Sequence, residues 1–98
     1  AGHFDMLIKS IYNPGEMKTI KEMREEIDKI DREIVRLLIE RMKVSKTIGK
    51  SKEKITDRSR EMSVIINALN TSGEKLEPAF LRELFELIIQ ESKRVQKD

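Results

Sequence analysis

At 98 residues the chain has the length of one domain. Its 20 basic and 18 acidic residues leave a formal charge of +2, too balanced for a general nucleic-acid binder. It has no cysteine, which excludes a disulfide framework and a thiolate metal site, and its one histidine, His3, sits in an opening Ala1-Gly2-His3 that reads as a cloning scar.

Residues 1–18 read as an N-terminal arm, part of it that scar. Phe4 to Tyr12 is moderately apolar, Asn13-Pro14-Gly15 breaks it, and both Met6 and Met17 qualify as native starts. Residues 19–98 read as one all-α domain. Thr19-Ile20-Lys21-Glu22 fits a capping box, with Thr19 as the cap and Glu22 reaching back. Apolar residues then recur at Ile20, Met23, Ile27, Ile30, Ile34, Leu37, Val44 and Ile48, the spacing of a helical seam. Arg41 stands in that seam where the pattern reserves an apolar place. The spacing predicts a helix from Ile20 to about Lys52, free of proline and weakened only at Gly49, which costs about 1 kcal/mol against alanine. Thirty-odd residues make a rod of roughly 50 Å, longer than a compact monomer of this size should contain.

Ser51 to Thr56 is polar and breaks the periodicity. Asp57 is a suitable cap for a second helix with an apolar face of Met62, Ile65, Ile66 and Leu69, which Asn70-Thr71-Ser72-Gly73 ends. Glu77-Pro78 opens a third helix, with Pro78 in the first turn, where its missing N–H costs nothing. Phe80, Leu81, Leu84, Phe85, Leu87, Ile88 and Ile89 make it densely apolar, and its stripe then turns polar at Ser92 and Gln96. No strand alternation and no internal repeat interrupts this pattern. No apolar run reaches the length of a membrane span and no signal segment is visible, so a cytoplasmic chain with no membrane partner is expected.

Two short helices cannot cover the whole seam of the first. The remainder would leave a ladder of Ile, Leu and Met beyond an ordinary surface patch. The simplest cover is a second copy, its long helix antiparallel to the first in a symmetric homodimer.

Arg41, Ser45 and Lys52 fall on closely similar helical angles, so two cations share an inward stripe with little acid beside them. A guanidinium there has lost water and needs an anionic partner. An anionic small molecule would supply it. Each polar residue also has a plainer reading. Arg24 and Asp28 suit a surface ion pair. Arg41 suits a buried pair with a glutamate, and Lys52 a partner for a helix C-terminus. Arg60-Glu61 suits helix-surface charge, and Ser92 and Gln96 suit solvated residues near a chain end. Their joint occurrence on or beside apolar faces favours a site. Arg24 and Arg41 are 17 residues apart, about 25 Å of helix. One small ligand reaches both only if Arg24 comes from the other chain.

The segments Met23-Arg24-Glu25-Glu26-Ile27-Asp28-Lys29-Ile30-Asp31, Leu37-Leu38-Ile39-Glu40-Arg41-Met42 and Ile48-Gly49-Lys50-Ser51-Lys52 together resemble the all-helical chorismate mutases. So do Asp57-Arg58-Ser59-Arg60-Glu61 and Phe85-Glu86-Leu87-Ile88-Ile89-Gln90-Glu91-Ser92 with Gln96. The resemblance covers about Ile20 to Gln96. It implies three helices per chain in an intertwined dimer with two shared sites, and chorismate as the substrate. It implies that Arg24 of the partner chain and Arg41 grip the two substrate carboxylates, helped by Ser92. Lys52 and Gln96 would address the ether oxygen of the breaking C–O bond. Glu61 would accept the ring hydroxyl, Asp57 would contribute backbone, and Arg60 would line the pocket. Two departures from the family stand out: the connection from Lys52 to Asp57 is shorter, and the arm before Thr19 has no counterpart.

The implied reaction, a one-step rearrangement of chorismate to prephenate on the route to phenylalanine and tyrosine, needs no nucleophile, metal or proton shuttle. No cofactor is expected. The length is expected to leave no room for a fused dehydratase, dehydrogenase or synthase domain, and whether a synthase binds in trans is left open. Two rivals stay open as well: an isochorismate pyruvate-lyase on the same fold, and a non-catalytic helical regulatory module.

Overall fold

A computed structural model of the chain describes residues 18–51 and 57–97. Those residues form three helices and no strand: α1 Ile20–Gly49, α2 Arg58–Ser72 and α3 Pro78–Lys97. Most of the expected arm, Lys52, and the segment to Thr56 lie outside the described residues. The chain divides into two compact units, Ala1–Arg36 and Leu37–Asp98.

In the first unit, the start of α1 is set by a reciprocal cap. The Glu22 amide donates to Thr19 Oγ1 at 3.1 Å, and the Thr19 amide donates to Glu22 Oε1 at 3.2 Å. Ile20, Met23, Ile27, Ile30 and Ile34 are exposed. Arg24 is exposed too, and among the described residues it forms no ion pair with Asp28 or any other acid. Lys18 pairs with Glu26 instead.

In the second unit, α2 and α3 make a hairpin. Asp57 caps α2 by accepting from the Arg60 amide at 3.1 Å. Gly73 closes it with a φ of 60°, which favours glycine, and donates to the Leu69 carbonyl at 3.1 Å. Pro78 then starts α3. An ion pair between Glu61, near the start of α2, and Lys93, near the end of α3, marks the two helices as antiparallel. Leu81 and Ile89 are the buried apolar residues among those described. The inward face of α2 is Val64, Ile65, Ala68 and Leu69, while Met62 and Ile66 of the expected face are exposed.

The last turns of α1 pack beside α3, and here the expected seam is corrected. Leu37, Val44 and Ile48 are exposed. The less exposed stripe is Leu38, Met42, Ser45 and Gly49, about 110° further round the helix. Arg41 lies between the two stripes and reaches α3. Gly49 explains the offset. A Cβ there would stand 2.6 Å from the Gln96 Cα and overlap the Gln96 carbonyl oxygen, so only glycine lets the two backbones approach this closely. The helix also ends at Gly49 rather than near Lys52. Beyond it the chain tightens into i→i−3 bonds, Lys50 to Thr47 at 3.1 Å and Ser51 to Ile48 at 2.9 Å. Lys52, expected on the Arg41 stripe, lies outside the described residues.

Candidate active site

The C-terminal end of α1, the first turns of α2 and the last turns of α3 enclose a pocket of about 440 Å³. Its apolar wall is Val44, Ile48, Val64 and Ile89. Its polar lining is Arg41, Ser45, Asp57, Arg60, Glu61, Ser92, Lys93 and Gln96. Six of the eight expected site residues thus come together: Arg41, Asp57, Arg60, Glu61, Ser92 and Gln96. Lys52 lies outside the described residues, and Arg24 belongs to the other unit.

Helical register explains the convergence. On α3, Ile89, Ser92, Lys93 and Gln96 follow at spacings of three, one and three, so one face changes from apolar to polar as it reaches the pocket. On α2, the Asp57 cap turns Arg60 and Glu61 toward that face. On α1, Arg41 and Ser45 are one turn apart.

The electrostatics are lopsided. The Arg41 guanidinium donates from Nη1 to the buried hydroxyl of Ser92. That hydroxyl in turn lies 3.7 Å from the Met42 sulfur. No carboxylate comes within ion-pair distance of Arg41 among the described residues, so a buried pair with a glutamate is not what holds it. Burial, and to a smaller degree the neighbouring Arg60 guanidinium, push Arg41 below the usual guanidinium range. Arginine still stays charged at neutral pH. Its environment therefore works against the charge it carries, and a bound anion would reverse that. The acids of the pocket are engaged elsewhere. Asp57 Oδ1 is held by the Arg60 amide, and Glu61 Oε2 faces the Lys93 ammonium at 2.9 Å. The Arg60 side chain lies along α2, with Nη1 3.4 Å from Ser63 Oγ.

No group of three His, Cys, Asp or Glu side chains that could hold a metal ion occurs among the described residues. The chemistry this lining offers is that of two guanidiniums, an ammonium, two hydroxyls, an amide and two carboxylates around a half-apolar cavity.

Residues 23–97 match the family model for chorismate mutase type II. The chain belongs to the chorismate mutase type II family. The match reaches into all three helices and includes every expected site residue from Arg24 to Gln96. Among curated proteins, the chain is 47% identical over 60 residues to a bifunctional chorismate mutase/prephenate dehydratase of Aquifex aeolicus (strain VF5), covering 55% of this chain and 17% of that protein. It is 40% identical over 80 residues to a bifunctional chorismate mutase/prephenate dehydratase of Buchnera aphidicola subsp. Schizaphis graminum (strain Sg), covering 76% of this chain and 20% of that protein. The chain thus spans a fifth or less of the length of these relatives. No solved structure gives a significant match.

Within this member of the chorismate mutase type II family, two polar lining residues were not among the expected site residues. Ser45 was visible as a small polar residue one turn from Arg41, and it is buried with only 6% of its surface exposed. Lys93 carried no signal beyond its place between Ser92 and Gln96. A lysine there looks like surface charge until α2 brings Glu61 to meet it.

Proposed function

We propose that the chain is a chorismate mutase, converting chorismate to prephenate without a cofactor. The observation that carries this reading is Arg41, a partly buried guanidinium beside a second arginine, with no carboxylate among the described residues to neutralise it and a serine hydroxyl as its partner. An arginine so placed suits one carboxylate of a dianionic substrate, since its planar fork matches a carboxylate in two parallel hydrogen bonds.

In the rearrangement the ether C–O bond breaks as a new C–C bond forms, and no atom enters or leaves. The chain's task is to hold the substrate in its reactive folded conformer and to stabilise negative charge building on the ether oxygen. Arg41 and Ser92 take one carboxylate, and Arg24 of a partner chain takes the other. Gln96, an amide N–H donor that is neutral at every relevant pH, addresses the ether oxygen together with Lys52. Glu61 accepts the ring hydroxyl, Asp57 lends backbone, and Arg60 keeps the wall positive.

The working unit in this reading is an intertwined antiparallel homodimer built from residues 19–98, with residues 1–18 as an arm outside the shared core. It is supported by the exposed ladder from Ile20 to Ile48, which is too large an apolar surface to stay in water. A second copy laid along that ladder covers it and brings Arg24 across.

The test is to incubate the chain with chorismate, follow the loss of its ultraviolet absorbance and identify prephenate among the products. A parallel incubation with isochorismate tests for pyruvate release. Prephenate from chorismate supports the reading. Pyruvate from isochorismate alone replaces it with the lyase, and inertness toward both leaves a non-catalytic helical module.

A further inference from the structure

The Glu61 carboxylate is an anomaly in the pocket. Its Oε2 is buried and accepts no hydrogen bond, although such atoms are nearly always bonded. What faces it is the Lys93 ammonium at 2.9 Å, within ion-pair distance but off the alignment of a hydrogen bond, so the compensation is Coulombic. The two side chains keep 29% and 35% of their surface exposed, and a pair that solvated adds little to stability. It does stand where position matters. Both residues line the candidate active site, and both also line a second hollow on the far side, between Arg58 and Gln90. The pair is a wall between the two. Without Lys93 the carboxylate has no described partner to keep it on the substrate side, and its charge faces the cavity uncompensated.

We propose that Lys93 is a positioning residue for the proposed reaction. Its ammonium holds Glu61 Oε2 at this wall, so that the other carboxylate oxygen is presented to a hydroxyl of the bound substrate. Lys93 itself does not touch the reacting atoms. The inference rests on the mutase reading above and adds a residue to it.

The test combines Lys93→Met, Lys93→Arg, Glu61→Gln and the double variant Lys93→Met/Glu61→Gln, each checked for helical content and assayed with chorismate. A misplaced contact can cost up to about 100-fold, and a partly exposed pair is expected to give less, so Lys93→Met should lower kcat/KM about ten-fold. Lys93→Arg, which keeps the charge, should recover most of the loss. In the Glu61→Gln background, Lys93→Met should change nothing further, because a residue acting only through Glu61 has nothing left to act on. The Glu61 carboxyl carbon resonance should move in Lys93→Met without any ligand present. An active wild type with an unaffected Lys93→Met, or an equal loss in both backgrounds, overturns the positioning role alone. An unmoved Glu61 resonance does the same. A wild-type chain that leaves chorismate untouched overturns the mutase reading, and the inference falls with it.

Discussion

Gly49 at the end of α1 and Gln96 near the end of α3 touch backbone to backbone, with no room for a side chain between them. The contact brings the ends of the two helices together and seats Gln96 in the pocket. Only a residue without a Cβ allows this approach.

Gly49→Ala is expected to separate two effects. At the last residue of α1 alanine gains less than the about 1 kcal/mol it gains in a helix interior, while the overlap with Gln96 costs about 1–3 kcal/mol if nothing moves. Because α3 ends just beyond Gln96, its last turn can shift and relieve the strain. Net stability should therefore change by less than about 2 kcal/mol, measured by urea unfolding. Activity should fall by about ten-fold or more, because Gln96 leaves its place beside the proposed ether-oxygen site. A Gly49→Ala variant with wild-type kcat/KM would remove Gln96 from the proposed mechanism.

Arg41→Ala and Lys52→Ala are each expected to lower activity by at least ~100-fold, the scale of removing a preorganised charge donor. Folding should survive Arg41→Ala, since the change removes a partly desolvated cation pressed by Arg60 and leaves no buried acid unpaired. Circular dichroism checks the helices and the chorismate assay checks the rate. Near-normal rates in both variants, with helical content unchanged, would show that the site lies elsewhere.

How much of this was legible in the sequence depends on the range of the forces involved. Helix ends are local, and Thr19 with Glu22, Asp57, Gly73 and Pro78 stand where their residue types placed them. Polar residues interrupting an apolar stripe were also readable, and Arg41, Ser92 and Gln96 line one pocket. The packed side of α1 was not readable. Periodicity reports the strongest apolar stripe, which is the exposed one, whereas the side against α3 is built from Met42, Ser45 and Gly49. Small residues admit a neighbour without any hydrophobic signature. Lys93 was hidden for a related reason, because its partner Glu61 is 32 residues away in the sequence and meets it only through the α2–α3 hairpin.

The exposed ladder leads to a prediction about assembly. Sedimentation at micromolar concentration should show about twice the chain mass, with no folded monomer at lower concentrations. Ile30→Asp, which puts a charge in the middle of the ladder, should shift the population toward an unfolded or associating chain. A wild-type chain that is monomeric, folded and active would remove the need for a second copy and the shared site with it.

Arg24 supplies the sharpest test of the shared site. It lies 17 residues before Arg41 in the sequence, a spacing that the helical pattern predicts to be about 25 Å, too far for one small dianion to reach both from one chain. If it acts across the dimer, each site takes Arg24 from one chain and Arg41 from the other. Chains carrying Arg24→Ala and chains carrying Arg41→Ala should then be inactive alone. Unfolded together and refolded, they pair at random, and about half of the dimers are mixed. A mixed dimer has one site with both lesions and one with neither. Activity should return to roughly a quarter of the wild-type value per site, provided the two sites act independently. Mass spectrometry of the intact dimers confirms the mixing. Mixed dimers without recovered activity would mean that both arginines serve one site from one chain, and the intertwined arrangement would have to be abandoned.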